Sequence, residues 1–311
     1  MKKITLILLF LLLSVLLYGN NDQWDNDFYL KNLSVCGRSL TDNPQAVCSV
    51  GDYKFDDDSK KMFNQLMTEY GIATSLGFNE PAETLGRKGF ETSFVYSMYS
   101  VGNSTIKTSK GVERNPWEGT FGRDSKKLHI VNLRVRKGLP ASFEVGGNVS
   151  YVLGSHMFMM GVSGKFALLE GINILPDVAI RATYNQLFGS RQVIMNNKSV
   201  DLIISYDFGI AGMFALAPYF AFSKTYIGAR SNLIQNNTAE APYTCQEDGY
   251  CNYQNDGNYD NNLDSFGSFE TSVNRYVFGV RINNAAFILI PEIILTSEDP
   301  WGVNIKVGVD F

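Results

Sequence analysis

The chain has 311 residues, a formal net charge of −4 and a mean hydropathy of −0.08. The near-zero hydropathy excludes a bundle of membrane helices, and the slightly acidic balance gives no basic footprint for nucleic acid. The length admits one large β domain or two ordinary domains, and 21 Phe with 16 Tyr suit a β protein with aromatic girdles.

Met1–Lys2–Lys3, the apolar run Ile4 to Leu17 and the close at Tyr18–Gly19–Asn20 read as a secretory signal over residues 1–20. The run is shorter than the roughly 20 residues a membrane helix needs. Export to an oxidising compartment fits the cysteines. Cys36 with Cys48 and Cys245 with Cys251 is the simplest of the possible disulfide pairings. Metal binding is the alternative reading, but the spacings are not zinc-like and no His lies nearby.

Residues 21–87 differ from the rest and are expected to form a periplasmic or plug segment. Asp56, Asp57, Asp58 and Ser59 offer an N-cap and negative charge for a helix start. Met62, Phe63, Leu66, Met67 and Tyr70 then share one face, so a short amphipathic helix is expected over 58–70, with Gly71 as its stop. It would plug a lumen, cover a periplasmic mouth or lie on a membrane surface. Pro81 to Gly86 leads into the first strand.

From Gly89 the period is two. The first strand sets Phe90, Thr92, Phe94, Tyr96 and Met98 against Glu91, Ser93 and Ser97. The second sets Val131, Leu133 and Val135 against Asn132, Arg134 and Arg136, and Lys137–Gly138–Leu139–Pro140 turns into the third, Phe143 to Tyr151. Further strands are expected around 158–168, 178–184, 200–208, 214–222, 276–282, 287–295 and 301–311, with Pro218 a poor fit to a ladder away from bulges and edges. The expected outer links are 102–127, 154–156, 188–198, 225–272 and 296–300; the inner ones, 138–140, 170–176, 209–212 and 283–285, are short. The two longest loops therefore fall on one side.

The last strand alternates fully. Trp301, Val303, Ile305, Val307, Val309 and Phe311 form an apolar face opposite Gly302, Asn304, Lys306, Gly308 and Asp310. This strand resembles the C-terminal insertion signal of bacterial outer-membrane β-barrel proteins. The stretches PAETLGRKGFETS and LRVRKGLPASFEVGGNVSYV also resemble a broad, poorly characterised group of such barrels, over roughly residues 63–311. The resemblance implies an all-β, antiparallel up-and-down transmembrane barrel over 88–311, of about ten strands within a range of roughly 8 to 14. It also implies location in the bacterial outer membrane, contact with lipid, and delivery by the barrel-assembly machinery.

On this assignment the lumen is lined by Arg134, Arg136, Lys165, Arg181, Arg281 and Lys306, opposed by Glu91, Glu144, Asp201, Asp207, Glu292 and Asp310. Balanced signs read either as a salt-bridged filling or as a charged constriction of a polar pore. The only histidines are His129 and His156. An acyl-transfer site would need one beside an activated Ser such as Ser155, and the chain is read as a non-enzyme. Asp256, Asn258, Asp260, Asn262 and Asp264 alternate as calcium ligands do, but Asn261 stands where the loop needs Gly and Gly267 where it needs Glu. No other cofactor is implied. The functional expectation is passive passage of a small solute, amphipathic ones included, with the helix as plug or gate. That arrangement resembles the long-chain fatty-acid outer-membrane transporters. The alternative is a surface-interaction, adhesion or structural role through loops 102–127 and 225–272.

Overall fold

In the computed structural model, residues 27–34, 38, 55–77, 79–118, 120, 126–172, 175–210, 214–232, 244–245, 251–252, 266–284 and 286–311 are described. The calcium-type run, Cys36, Cys48 and the leader lie outside them. Among the described residues, a 3-10 turn, Leu30–Leu33, and the helix α1 (Asp57–Thr74) precede the strands. These are β1 Phe90–Ser100, β2 Ile106–Lys107, β3 Glu113–Arg114, β4 Lys127–Leu139, β5 Phe143–Val152, β6 Phe158–Leu169, β7 Asp177–Phe188 and β8 Val193–Ser205. Then come β9 Phe208–Ile210, β10 Phe214–Ser231, β11 Thr244–Cys245, β12 Cys251–Asn252, β13 Ser268–Asn284, β14 Phe287–Thr296 and β15 Gly302–Asp310. No helix among the described residues is long and apolar enough to cross a membrane.

Every main ladder is antiparallel between chain neighbours, and two seams close the ring. β10 pairs β13, and the last strand β15 pairs the first, β1, with Glu91 opposite Asp310 and Tyr99 opposite Gly302. Phe90 and Phe311 exchange backbone hydrogen bonds of 2.8 and 3.0 Å at that seam. Short β9 continues β8 beyond a break at Tyr206–Asp207, opposite Ala217 and Pro218. The break has a cause: Pro218 has no N–H to give a ladder. The result is a closed barrel of ten strands. The hairpins β2–β3 and β11–β12 stand in the two long links.

Alternation sorts the side chains as a lipid-facing wall requires. Val162, Phe287 and Ile305 point out with 61%, 62% and 51% of their surface exposed, while Arg134, Arg181 and Lys306 point in at 1%, 1% and 0%. Charge inside and apolar surface outside is the reverse of a soluble core. Closure satisfies the backbone where no water reaches it. The wall is that of a membrane-spanning β-barrel.

Three expectations are corrected. β8 and β13 begin earlier than 200 and 276, so the links expected at 188–198 and 225–272 shrink to 189–192 and 232–267. Their outer ends carry polar residues on both faces (Asn196, Asn197, Lys198; Thr271, Ser272, Asn274), which erases the period-two signal. The helix runs past Gly71 to Thr74, because Gly71 is a close-approach position: a Cβ there would lie 2.5 Å from Ile227 Cγ2 on β10. It stops at Ser75, where the Thr74 and Ser75 hydroxyls donate back to Tyr70 O and Gly71 O at 2.7 and 2.6 Å.

Candidate functional site

The described residues of 55–86 lie inside the barrel. α1 is capped by Asp56, whose carboxylate accepts from Ser59 N at 2.8 Å while Ser59 Oγ accepts from Asp56 N at 3.3 Å. Burial alone would push the Asp56 carboxyl up, but hydrogen bonds from Arg38 and Ser59 outweigh it and hold the group well below the usual carboxylate range. Asp58 is held low chiefly by Ser109, whose hydroxyl and N–H donate at 2.7 and 2.9 Å. The face expected for packing is buried: Met62, Phe63, Leu66, Met67 and Tyr70 are all 3% exposed or less. Phe63 stacks on Phe266 at 4.6 Å, and Tyr70 donates to Met157 Sδ at 3.5 Å. Beside that face Glu69 accepts from Gly102 N at 2.8 Å and from the Trp117 indole at 2.7 Å. These partners belong to the links and strand ends at the long-loop end, away from Phe311. The helix sits in the long-loop mouth, held by groups that the strand pattern alone does not mark.

From Ser75 the chain runs without regular structure down the lumen to β1. Polar wall groups hold its backbone at each level. Arg181 Nη1 donates to Gly77 O at 3.2 Å, Lys306 Nζ to Asn79 O at 2.9 Å, and Lys165 Nζ to Glu83 O at 2.8 Å. Conversely Asn79 N donates to Glu292 at 2.6 Å, Ala82 N to Ser205 Oγ at 3.0 Å and Leu85 N to Glu144 at 3.2 Å. At the short-turn end Gly138 admits the segment: a Cβ there would lie 1.9 Å from Gly86 O.

Glu80, 1% exposed, is the centre of this contact. Its carboxylate meets Arg181 Nη1 at 2.5 Å, Arg134 Nη2 at 3.2 Å, Lys165 Nζ at 3.6 Å, and Arg136. Wall carboxylates complete the network. Arg136 also pairs Glu91 and, at 2.7 Å, Glu144; Arg181 pairs Asp201 at 2.8 Å; Lys306 pairs Glu91 at 2.5 Å. Glu292 accepts from the Tyr219 hydroxyl and the Asn304 amide, both at 2.6 Å.

Most of the expected lumen set is thus brought together. Asp207 and Asp310 are not in the buried network. Asp207 sits at the short-turn end with Glu83 and Arg281, its side chain 35% exposed, and Asp310 is half-buried there. The balance of signs expected for the wall is corrected accordingly. Buried Arg275, inward on β13, adds a further cation, and Glu80 comes from the segment, not the wall. Strand reading missed Arg275 because it lies at the polar end of β13, and Glu80 because nothing local distinguishes PAETLG from a loop. The histidines face elsewhere. His129 Nδ1 meets the Tyr96 hydroxyl at 2.7 Å, His156 Nδ1 meets Asp27 at 2.7 Å, and Ser155 Oγ donates to Val152 O at 2.9 Å. Ser155 and His156 form no nucleophile–base pair. Among the described residues no group of His, Cys, Asp and Glu is arranged to hold a metal.

No family model and no curated protein matches the chain. Among solved structures, Ail, the attachment invasion locus protein of Yersinia pestis, aligns with 72% of this chain and 99% of its own, at 10% identity and a TM-score of 0.24. The KdgM porin in complex with oligogalacturonate aligns over 71% and 99%, at 8% identity and 0.31. The β domain of the Bordetella autotransporter BrkA aligns over 72% and 100%, at 10% identity and 0.31. Likenesses at this level transfer no ligand and no role to this chain.

Proposed function

We propose that the protein is a gated barrel for a small solute, closed by its own residues 56–86 and open when that segment leaves the lumen. The observation that carries this reading is the kind of contact holding the segment. Below α1 it is fastened by ion pairs and hydrogen bonds to the wall, which water and solute can replace. Apolar packing, which would be lost outright on opening, is concentrated in the helix. A wall lined by Arg, Lys, Glu, Asn and Ser would hydrate as a polar conduit once vacated. Residues 21–87 are then the gating segment and 88–311 the conduit, with the long loops outward. The alternation of Trp301 to Phe311 serves as the insertion signal for the barrel-assembly machinery, and the Cys245–Cys251 pair, directly opposed in the β11–β12 ladder, pins the larger loop by a disulfide.

The test is an osmotic swelling assay in liposomes with neutral sugars and amino acids. A gated conduit admits small solutes faster once Glu80 is neutralised (Glu80→Gln), with a size cut-off. A second reading keeps the lumen shut and gives the work to the outer loops. It is favoured if swelling never exceeds that of empty liposomes while removal of 232–267 abolishes cell-surface binding.

A further inference from the structure

The cage around Glu80 holds more positive charge than closing a lumen requires. Arg134 and Arg136 from β4, Lys165 from β6 and Arg181 from β7 converge on one carboxylate, and each is at most 3% exposed. Without Glu80, the buried wall cations Arg134, Arg136, Lys165, Arg181, Arg275, Arg281 and Lys306 would outnumber the buried wall carboxylates Glu91, Glu144, Asp177, Asp201 and Glu292. Arg136 would keep Glu91 and Glu144, Lys165 would keep Glu144 and Arg181 would keep Asp201; withdrawing Glu80 with nothing in its place still enlarges an excess of buried positive charge and is disfavoured. An opening of the lumen is therefore coupled to arrival of another anion. The geometry also suits one. Guanidinium groups converging from β4 and β7, with the β6 ammonium beside them, are the donor set that recognises planar or tetrahedral oxyanions. The present occupant is not part of the wall; it arrives on an irregular stretch between Ser75 and β1.

We propose that Arg134, Arg136, Lys165 and Arg181 form an oxyanion-binding site in the barrel wall. Glu80 occupies it as the chain's own substitute for a small carboxylate or phosphate solute, and such a solute opens the lumen by competing with Glu80. The opening step rests on the gated-barrel reading, whereas the site itself rests on the cage alone.

The experiment uses the full chain refolded in micelles, with citrate and inorganic phosphate as probes and chloride at matched ionic strength as the control. Binding is read from the rise of the thermal midpoint. Glu80→Gln keeps the side chain's size and removes its charge. It should bind citrate or phosphate at least about tenfold more tightly than the wild type, which must first release its own anion. Adding Arg181→Gln should remove that gain. Should Glu80→Gln fail to fold, Glu80→Asp, which withdraws the carboxylate by one methylene, should show a smaller gain of the same sign. Equal responses of wild type and variant, or a gain that survives Arg181→Gln, would overturn the site. Citrate binding to Glu80→Gln without solute entry into liposomes would keep the site and remove the gated-barrel reading. Entry that discriminates neither anions from cations nor responds to citrate would keep the passage and remove the site.

Discussion

At the scale of single residues, Glu80 decides most. It is one carboxylate among four cations in a dry interior, and removing one partner of such a cluster leaves uncompensated buried charge. Glu80→Ala should lower stability by about 3–5 kcal/mol, measured by urea unfolding of the refolded barrel in vesicles. A loss below about 1 kcal/mol, the range of exposed pairs, would mean that the cage relaxes without it. Gly138 tests the same segment sterically. Its missing Cβ makes room for Gly86 O, a backbone atom that cannot swing aside. Gly138→Ala should cost about 1–3 kcal/mol by overpacking, whereas Gly164→Ala, whose Cβ would meet nothing within 4 Å, should be nearly neutral in the same assay. Glu80 was the residue least legible in the sequence. Its partners are more than fifty positions away on three strands, and a glutamate in a Pro- and Gly-bearing stretch reads as solvated. Arg134, Arg136, Lys165 and Arg181 were legible, because each falls on the polar face of a strand whose other face is apolar.

At the scale of elements, strands and helix differ in what made them readable. The wall announces itself wherever lipid faces it, since lipid enforces an apolar residue at every second position. Above the belt that demand ends, which is why β8 and β13 were read short and Arg275 with them. α1 was readable through its acidic cap and apolar face. Its location was not, because the groups that seat it (Glu69 on Trp117, Asp58 on Ser109) pair across long separations. Its seat carries a pH dependence whose sign follows from the caps. Asp56 and Asp58 have carboxyls held below their ordinary value. Their contribution is present above the ordinary carboxylate pKa of about 4 and is lost as pH falls further through the folded values. Near-UV circular dichroism of the refolded protein should therefore be flat from neutral pH to about 4 and change reversibly below it. Asp58→Asn should shrink that change. A transition centred near neutrality would contradict the assignment to these carboxyls.

At the scale of the whole molecule, the barrel is inverted relative to a soluble domain. Apolar side chains cover the outside, ionised ones fill the inside, and the chain's own N-terminal segment completes the filling. An empty ten-stranded wall of this composition would hold more buried cations than carboxylates; Glu80 on residues 56–86 reduces that excess. The central claim is that closure is made by that segment. Its most direct test is single-channel conductance in a planar bilayer, comparing the full chain with a form lacking residues 21–87, both refolded and checked for barrel structure. The account predicts a full chain that is closed or opens only briefly, and a truncated form with a steady conductance. A full chain already conducting at the truncated level, or a folded truncated barrel that stays silent, would contradict it.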